Sequence, residues 1–459
     1  MKKETCKQAT PAAQEREAVV DEAPAISIAY KQGPSLTSMK RRVAAQSLTK
    51  SSSSPSKLPR RSLEKVAAVG NPDQGVLRAH FEATLGVPFT DGNEVVRLVN
   101  GDEIFPAMLE AIDGAEKSIN FLTYVYWDGD IATEFAEALS RRARSGVAMR
   151  VLLDAYGARP MPDSLRNLME ASGVQLRWFR PLSSMRLWRH DKRTHRKILV
   201  VDDTVAFTGG VGISRQWTGD AQDSNHWRET HFRIRGLAVR GFHAAFFDNW
   251  CEAGDWENPT FDDSDALGQQ SESDAKGAAV QVLRSSATVG WTDVATMLRC
   301  AIDESRHTLS ITTPYFAPDE KTENLLGEAS ERGVDVQILL PGPYTDQPLP
   351  QHAGGPSVER LLKRGVRFWE HQVTHVHAKL MVVDGVLSLI GSANFNHRSL
   401  GKDEECCAVV VNESVATQLS SDFHNDVSQS KEITLEAWQN RGLWKRTREK
   451  FSRLLLEQV

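Results

Sequence analysis

Cysteine is scarce in this chain: Cys6, Cys251, Cys300, Cys406 and Cys407 are five among 459 residues. The number is odd and no C-x-x-C pair occurs, so neither a disulfide framework nor a zinc knuckle fits, and a reducing compartment is the simpler setting. Also missing is any run near the ~20 apolar residues that a membrane-spanning helix needs. The N-terminal stretch lacks the apolar centre of a secretory signal. The expected location is therefore cytoplasmic or peripherally membrane-associated, without a transmembrane segment.

A broad excess of positive charge is absent too. The net charge is −5, and residues 1 to 70 hold 13 Lys or Arg against 6 Asp or Glu, which leaves −12 on the remainder. Non-specific nucleic-acid affinity comes largely from Lys and Arg neutralising phosphates, so nucleic acid is a disfavoured partner and only a local basic cleft stays open.

Residues 1–72, with "TKSSSSPSKLPRRS", have too few periodic apolar positions to offset chain entropy and read as a disordered basic leader. Beyond them, helical and strand patterns alternate. "IATEFAEALSRRARSG" has helical spacing closed by Gly146, and "VAMRVLLDAYG" and "SGVQLRWFRPL" read as strands. "KTENLLGEASERGVDVQILLPG" and "VERLLKRGVRFWEHQ" retrace that order, which indicates an internal duplication. The acidic stretch 257–279 reads as a linker between a domain at 73–256 and another at 280–459 that ends in a C-terminal helix.

The repeat carries chemistry. "THRKILVVDD" at 194–203 and "HVHAKLMVVDG" at 375–385 read as β-strands, each with a His and a Lys two positions apart on one face: His195 with Lys197, His377 with Lys379. Each His is followed seven positions later by Asp202 or Asp384, and each Asp seven later by Gly209 or Gly391. Asp384-Gly385 suits a two-residue hairpin turn, which favours a structural part for Asp384 over a catalytic one. Glycine ending the return strand would let backbone approach a ligand, and Ser392 and Asn394 would offer a hydroxyl and an amide to phosphate oxygens.

One imidazole can attack phosphorus while a second, protonated one delivers a proton to the departing alkoxide. Lysines add fixed charge where negative charge builds. Each imidazole needs an acceptor on its other nitrogen, for which Glu229 and Glu405 are candidates, with Glu404 the competitor next to Glu405. His371, His375 and His377 also suggest a metal site, but Lys379 on the same face would repel a cation, so no metal and no cofactor are expected. The aromatic and arginine-rich stretch 176–193, with Trp178, Phe179, Leu187 and Trp188, suits either a lipid head-group interface or ordinary packing. Tyr315 is given no catalytic role.

The doubled H-x-K-x-x-x-x-D with G-S-x-N resembles the phospholipase D superfamily. "NGDEIFPAMLEAI", "HWRETHFRI", "TTPYFAPD" and "LMVVDGVLSLIGSANFNHRS" look like its bacterial cardiolipin synthase branch. The resemblance implies two similar α/β/α sandwich domains, paired about a pseudo-two-fold axis around one composite active site. It further implies a phosphohistidine intermediate formed without metal, catalytic roles for His195, Lys197, Asp202, His377, Lys379 and Asp384, His195 as nucleophile and His377 as general acid. The implied reaction is phosphatidyl transfer between phospholipids, with phosphatidylglycerol as the expected substrate. Alternatives from other classes are a hydrolase acting on phospholipid or nucleic acid, and a non-catalytic phosphate-binding scaffold. The first half departs from the motif, with Gly210 where serine and Gly212 where asparagine is expected.

Overall fold

In the computed structural model, the described residues are 73–181, 191–257, 277–286, 290, 292–346 and 348–441. The expected basic leader, most of the expected linker, Leu187, Trp188 and any helix beyond 441 lie outside them.

The first half contributes strands β1 (Thr90–Val99), β2 (Ser118–Thr123), β3 (Ala148–Asp154), β4 (Gln175–Phe179), β5 (Ile198–Val201), β6 (Val205–Gly209) and β7 (Thr230–Arg235). The second contributes β8 (Ala278–Arg284), β9 (Thr308–Thr312), β10 (Phe316–Ala317), β11 (Asp335–Pro341), β12 (Arg367–His371), β13 (Leu380–Val383), β14 (Leu387–Gly391), β15 (Phe395–Asn396), β16 (Cys406–Val411) and β17 (Ser430–Ile433). β10 and β15 pair with each other. The rest form one 15-stranded sheet in the order β17-β12-β11-β9-β13-β14-β16-β8-β1-β7-β6-β5-β2-β3-β4. Read outward from its middle, β1-β7-β6-β5-β2-β3-β4 is matched by β8-β16-β14-β13-β9-β11-β12, so the duplication seen in sequence is a duplication of topology.

Helices cover the sheet because their apolar positions recur at one face. In Asp130–Arg144, Ile131, Phe135 and Leu139 are buried at four-residue steps. Two separate cores form, one around Phe105, Phe121 and Phe135 and the other around Phe316, Ile338 and Phe368. A third is common to both halves: Ile198, Val200 and Ala206 share it with Leu380, Val382 and Ile390, along with helices Val239–Glu252 and Glu413–Ser428. The halves are thus joined at the β1–β8 edge, where Asn93 pairs with Ala278, and across that shared core. Among the described residues no helix is long and apolar enough to cross a membrane.

Candidate active site

Regular strand begins only at Ile198 and Leu380, just after each lysine, so the two H-x-K segments are extended lead-ins and not ladder strands. What fixes them is the other half. Thr194 bridges Glu404 and Arg228 bridges Val376, both in parallel sense. The backbone N–H of His195 donates to Glu404 O at 2.9 Å, and that of His377 to Arg228 O at 2.8 Å. Each histidine segment therefore lies beside the glutamate-bearing segment of its counterpart.

The consequence is a crossed pairing. Nδ1 of His195 donates to Glu405 Oε1 at 3.0 Å, and Nδ1 of His377 donates to Glu229 Oε2 at 2.7 Å. Both glutamates are fully buried. The contest between neighbours is resolved by alternation along the strand: Glu404 turns the other way, to Arg180 at 2.9 Å and the Ser286 hydroxyl at 3.0 Å. Glu405 also accepts from Ser392 Oγ and Ser399 Oγ, both at 2.5 Å. With each Nδ1–H held by a carboxylate, Nε2 of His195 is left as a lone pair or a donor for chemistry, while Nε2 of His377 faces the Lys379 ammonium at 3.1 Å.

Lys379 Nζ lies 3.0 and 3.1 Å from the two ring nitrogens of His377, and Lys197 Nζ donates to His195 O at 2.8 Å. Burial, then Lys197, pushes His195 down to about 4. Burial and the charges of Lys379 and Lys197 hold His377 well below its ordinary value. Lys197 falls to about 7 through burial and the facing Lys379, and Lys379 to about 8 through burial. Burial raises Glu229, whereas Glu405, despite the same burial, is held below its ordinary value by His195, Lys197 and Ser392. Two neutral imidazoles and two crowded ammonium groups favour an anion, since a negative charge between them would relieve the repulsion and restore each proton affinity.

The catalytic grouping of Asp202 and Asp384 needs correction. Both stand at the far ends of β5 and β13 with left-handed backbone, φ +51°. Asp202 accepts from the backbone N–H groups of Glu116, Lys117 and Ser118 at 2.7–2.8 Å, and Asp384 from Arg306, His307 and Thr308 over the same range. Their carboxylates anchor the entry to β2 and β9. Asp384→Ala is therefore expected to cost about 1–3 kcal/mol of stability, visible as a lowered midpoint in thermal unfolding, while kcat of the folded fraction stays within about twofold, because no reacting group is touched.

Gly209 and Gly391 also change role. A Cβ on Gly209 would sit 2.9 Å from Thr230 O, and one on Gly391 would sit 2.5 Å from Cys406 O, so glycine at both positions is required by the close approach of the neighbouring strand. Ser392 is fully buried and serves Glu405, not substrate directly. At the matching first-half position, a Cβ on Gly210 would meet Glu229 Oε2 at 2.3 Å, so glycine there makes room for the carboxylate. Gly212 is explained likewise: its Cβ would meet Val125 at 2.7 Å and the Trp217 ring at 3.0 Å, so an indole fills the space of the expected asparagine. Asn394 is buried with its amide nitrogen 3.4 Å from Ser399 Oγ and its Oδ1 unpartnered, which leaves a second Nδ2–H as its only donor for an anion.

Several residues at the site escaped sequence reasoning. Trp217 meets the His377 ring edge-on at 5.2 Å, and Trp227 lies 5.4 Å from it. Tyr124 meets the His195 ring edge-on at 5.4 Å. Ser399 could have been noticed within "NHRS", but the aromatics carry no motif signal, since rings in apolar runs read as core. Of the arginine-rich stretch, Phe179 is buried, and Arg180 and Arg193 are engaged internally with Glu252 and Asp154. The three histidines diverge: His371 turns to Asp426 O, His375 to Asp346 and His377 to Glu229. Among the described residues no cluster of three or more His, Cys, Asp or Glu could hold a metal ion.

Two imidazoles from two duplicated halves, each backed by the opposite half's carboxylate and accompanied by a lysine, define a protein that handles phosphodiesters at a composite site. A family model described as "Cardiolipin synthase, PLD-like domain" matches residues 108–233 and 298–427, and the chain belongs to that family. It is 31% identical over 376 residues to cardiolipin synthase 1 of Bacillus anthracis, covering 81% of this chain and 73% of the relative. Cardiolipin synthase of Halalkalibacterium halodurans is 30% identical over 396 residues, with 85% and 77% covered. Phosphatidylserine synthase of Haemophilus influenzae shares the fold, with a TM-score of 0.63 at 15% identity over 84% of this chain and all of that one.

Proposed function

We propose that the chain is a phosphatidyltransferase of cardiolipin synthase type, acting on phospholipids at a membrane surface to which it attaches peripherally. The domain assignment carried with this reading is 73–256 and 280–459, each supplying half of one site. The observation that carries the function is the crossed pairing of His195 with Glu405 and His377 with Glu229, because a scaffold that only bound phosphate would gain nothing from fixing both imidazole tautomers.

In this reading Nε2 of His195 attacks the donor phosphorus. The phosphorus–oxygen bond to the leaving head-group alcohol breaks, and His377 gives that oxygen a proton. Attack turns the nucleophilic imidazole into a cation, so it belongs beside the carboxylate held below its ordinary range, which is Glu405. His377 gains its proton affinity when the phosphodiester anion enters. Lys197, Lys379 and the remaining Nδ2–H of Asn394 hold the non-bridging oxygens. An acceptor hydroxyl then attacks phosphorus, the P–N bond breaks, and the hydroxyl proton returns to His377.

The test is incubation with phosphatidylglycerol vesicles and mass analysis of the lipids. Glycerol together with a diphosphatidyl product is expected; phosphatidic acid alone would favour the hydrolase reading. A pH profile checks the electrostatics. Lysines pushed down to about 7 and about 8 lose their charge as pH rises through those values, so kcat/KM is expected to fall on the alkaline side from about pH 7–8. The acid limb, where His195 becomes protonated, lies near pH 4.

A further inference from the structure

Beside the composite site lies a second pocket of about 400 Å³, lined among others by Arg215, Gln216, Asn225, His226 and Trp227. Its wall is shared with the active site, because the Trp227 indole that lines it also packs 5.4 Å from the His377 ring and 4.7 Å from the His375 ring. The shared indole is fixed: its backbone N–H donates to Gln216 O at 2.6 Å, and the preceding carbonyl of His226 accepts from Thr374 Oγ1 at 2.7 Å. The lining holds no carboxylate. Two acids on the same loop are already engaged, Asp223 with His226 Nδ1 at 2.8 Å and Asp220 with the Asn100 amide at 2.8 Å. Arg215 is exposed and has no ion-pair partner among the described residues.

We propose that this pocket is the acceptor subsite, and that Arg215 binds the phosphodiester of the second phospholipid. The inference rests on the transferase reading and deepens it. The donor phosphate fills the space between His195 and His377, and a second anion cannot share the same two imidazoles. An acceptor phospholipid nevertheless brings its own phosphate, separated from the attacking hydroxyl by a single glycerol. It needs a cation one short spacer away, and Arg215 stands across one indole from His377. Held there, the acceptor presents its terminal hydroxyl to phosphohistidine. The new P–O bond forms as the P–N bond to His195 breaks, and the hydroxyl proton passes to His377. Guanidinium suits this task because its planar donors match two phosphate oxygens.

The experiment supplies phosphatidylglycerol vesicles with ethanol as a competing, uncharged acceptor, and reads the ratio of diphosphatidylglycerol to phosphatidylethanol. Arg215→Ala is expected to lower that ratio about tenfold, the scale of one lost charge pair to a phosphate, and Arg215→Lys to restore part of it. A generally damaged site would lower both products together and leave the ratio alone. An unchanged ratio in Arg215→Ala, with the wild type making both products, overturns the subsite alone. A wild type that makes neither product overturns the transferase reading and the subsite with it.

Discussion

Replacing His195 by alanine is expected to abolish the covalent phosphatidyl-enzyme and to lower transfer by a factor of about 10⁴ or more, because the one imidazole left, His377, cannot serve as nucleophile and general acid in the same step. His377→Ala is expected to behave differently. Losing the general acid costs about 10²–10⁴-fold with an ordinary alcohol leaving group. A donor carrying a p-nitrophenyl head group, which leaves without a proton, should still phosphorylate His195. Acid-stable mapping is unsuitable for phosphohistidine, so the label is trapped by alkaline quench and located by peptide mass. Label found on His377 in a His195→Ala variant would reverse the assignment of roles and leave the composite site standing.

Glu405→Gln is expected to lower kcat by about 10²-fold with little change in KM, since the amide keeps the shape but cannot support a cationic imidazole. Because the carboxylate acts through His195, the change should appear in the imidazole proton and nitrogen resonances of His195 and leave those of His377 in place. Glu229→Gln should do the opposite. The signature separates the crossed pairing, at 3.0 and 2.7 Å, from an arrangement in which each half is self-sufficient. If Glu405→Gln instead shifted the His377 resonances, the crossing would be refuted.

How much was legible beforehand follows from the range over which each constraint acts. The helix at Asp130–Arg144 and the strand at Ala148–Asp154 follow from local periodicity: the strand lies within the segment that spacing suggests, and the helix starts one residue before its own. The doubled His and Lys were legible because alternation along an extended segment places them together whatever the rest of the chain does. Asp202 was misgrouped because spacing fixes its distance from His195 along the chain but not the identity of its partners. Those partners, the backbone amides of residues 116–118, lie 84 to 86 positions away.

The sequence alone determined the duplicated α/β order, the residue types able to form and resolve a phosphoenzyme, and the absence of any apolar run long enough for a spanning helix. Tertiary structure decided which glutamate serves which histidine, why Gly210 and Gly212 stand where serine and asparagine were expected, and which aromatics wall the site. The reason is one of separation: His195 and Glu405 are 210 positions apart. Only the meeting of two half-sheets, with each H-x-K segment laid along the opposite half, brings such residues within hydrogen-bonding reach.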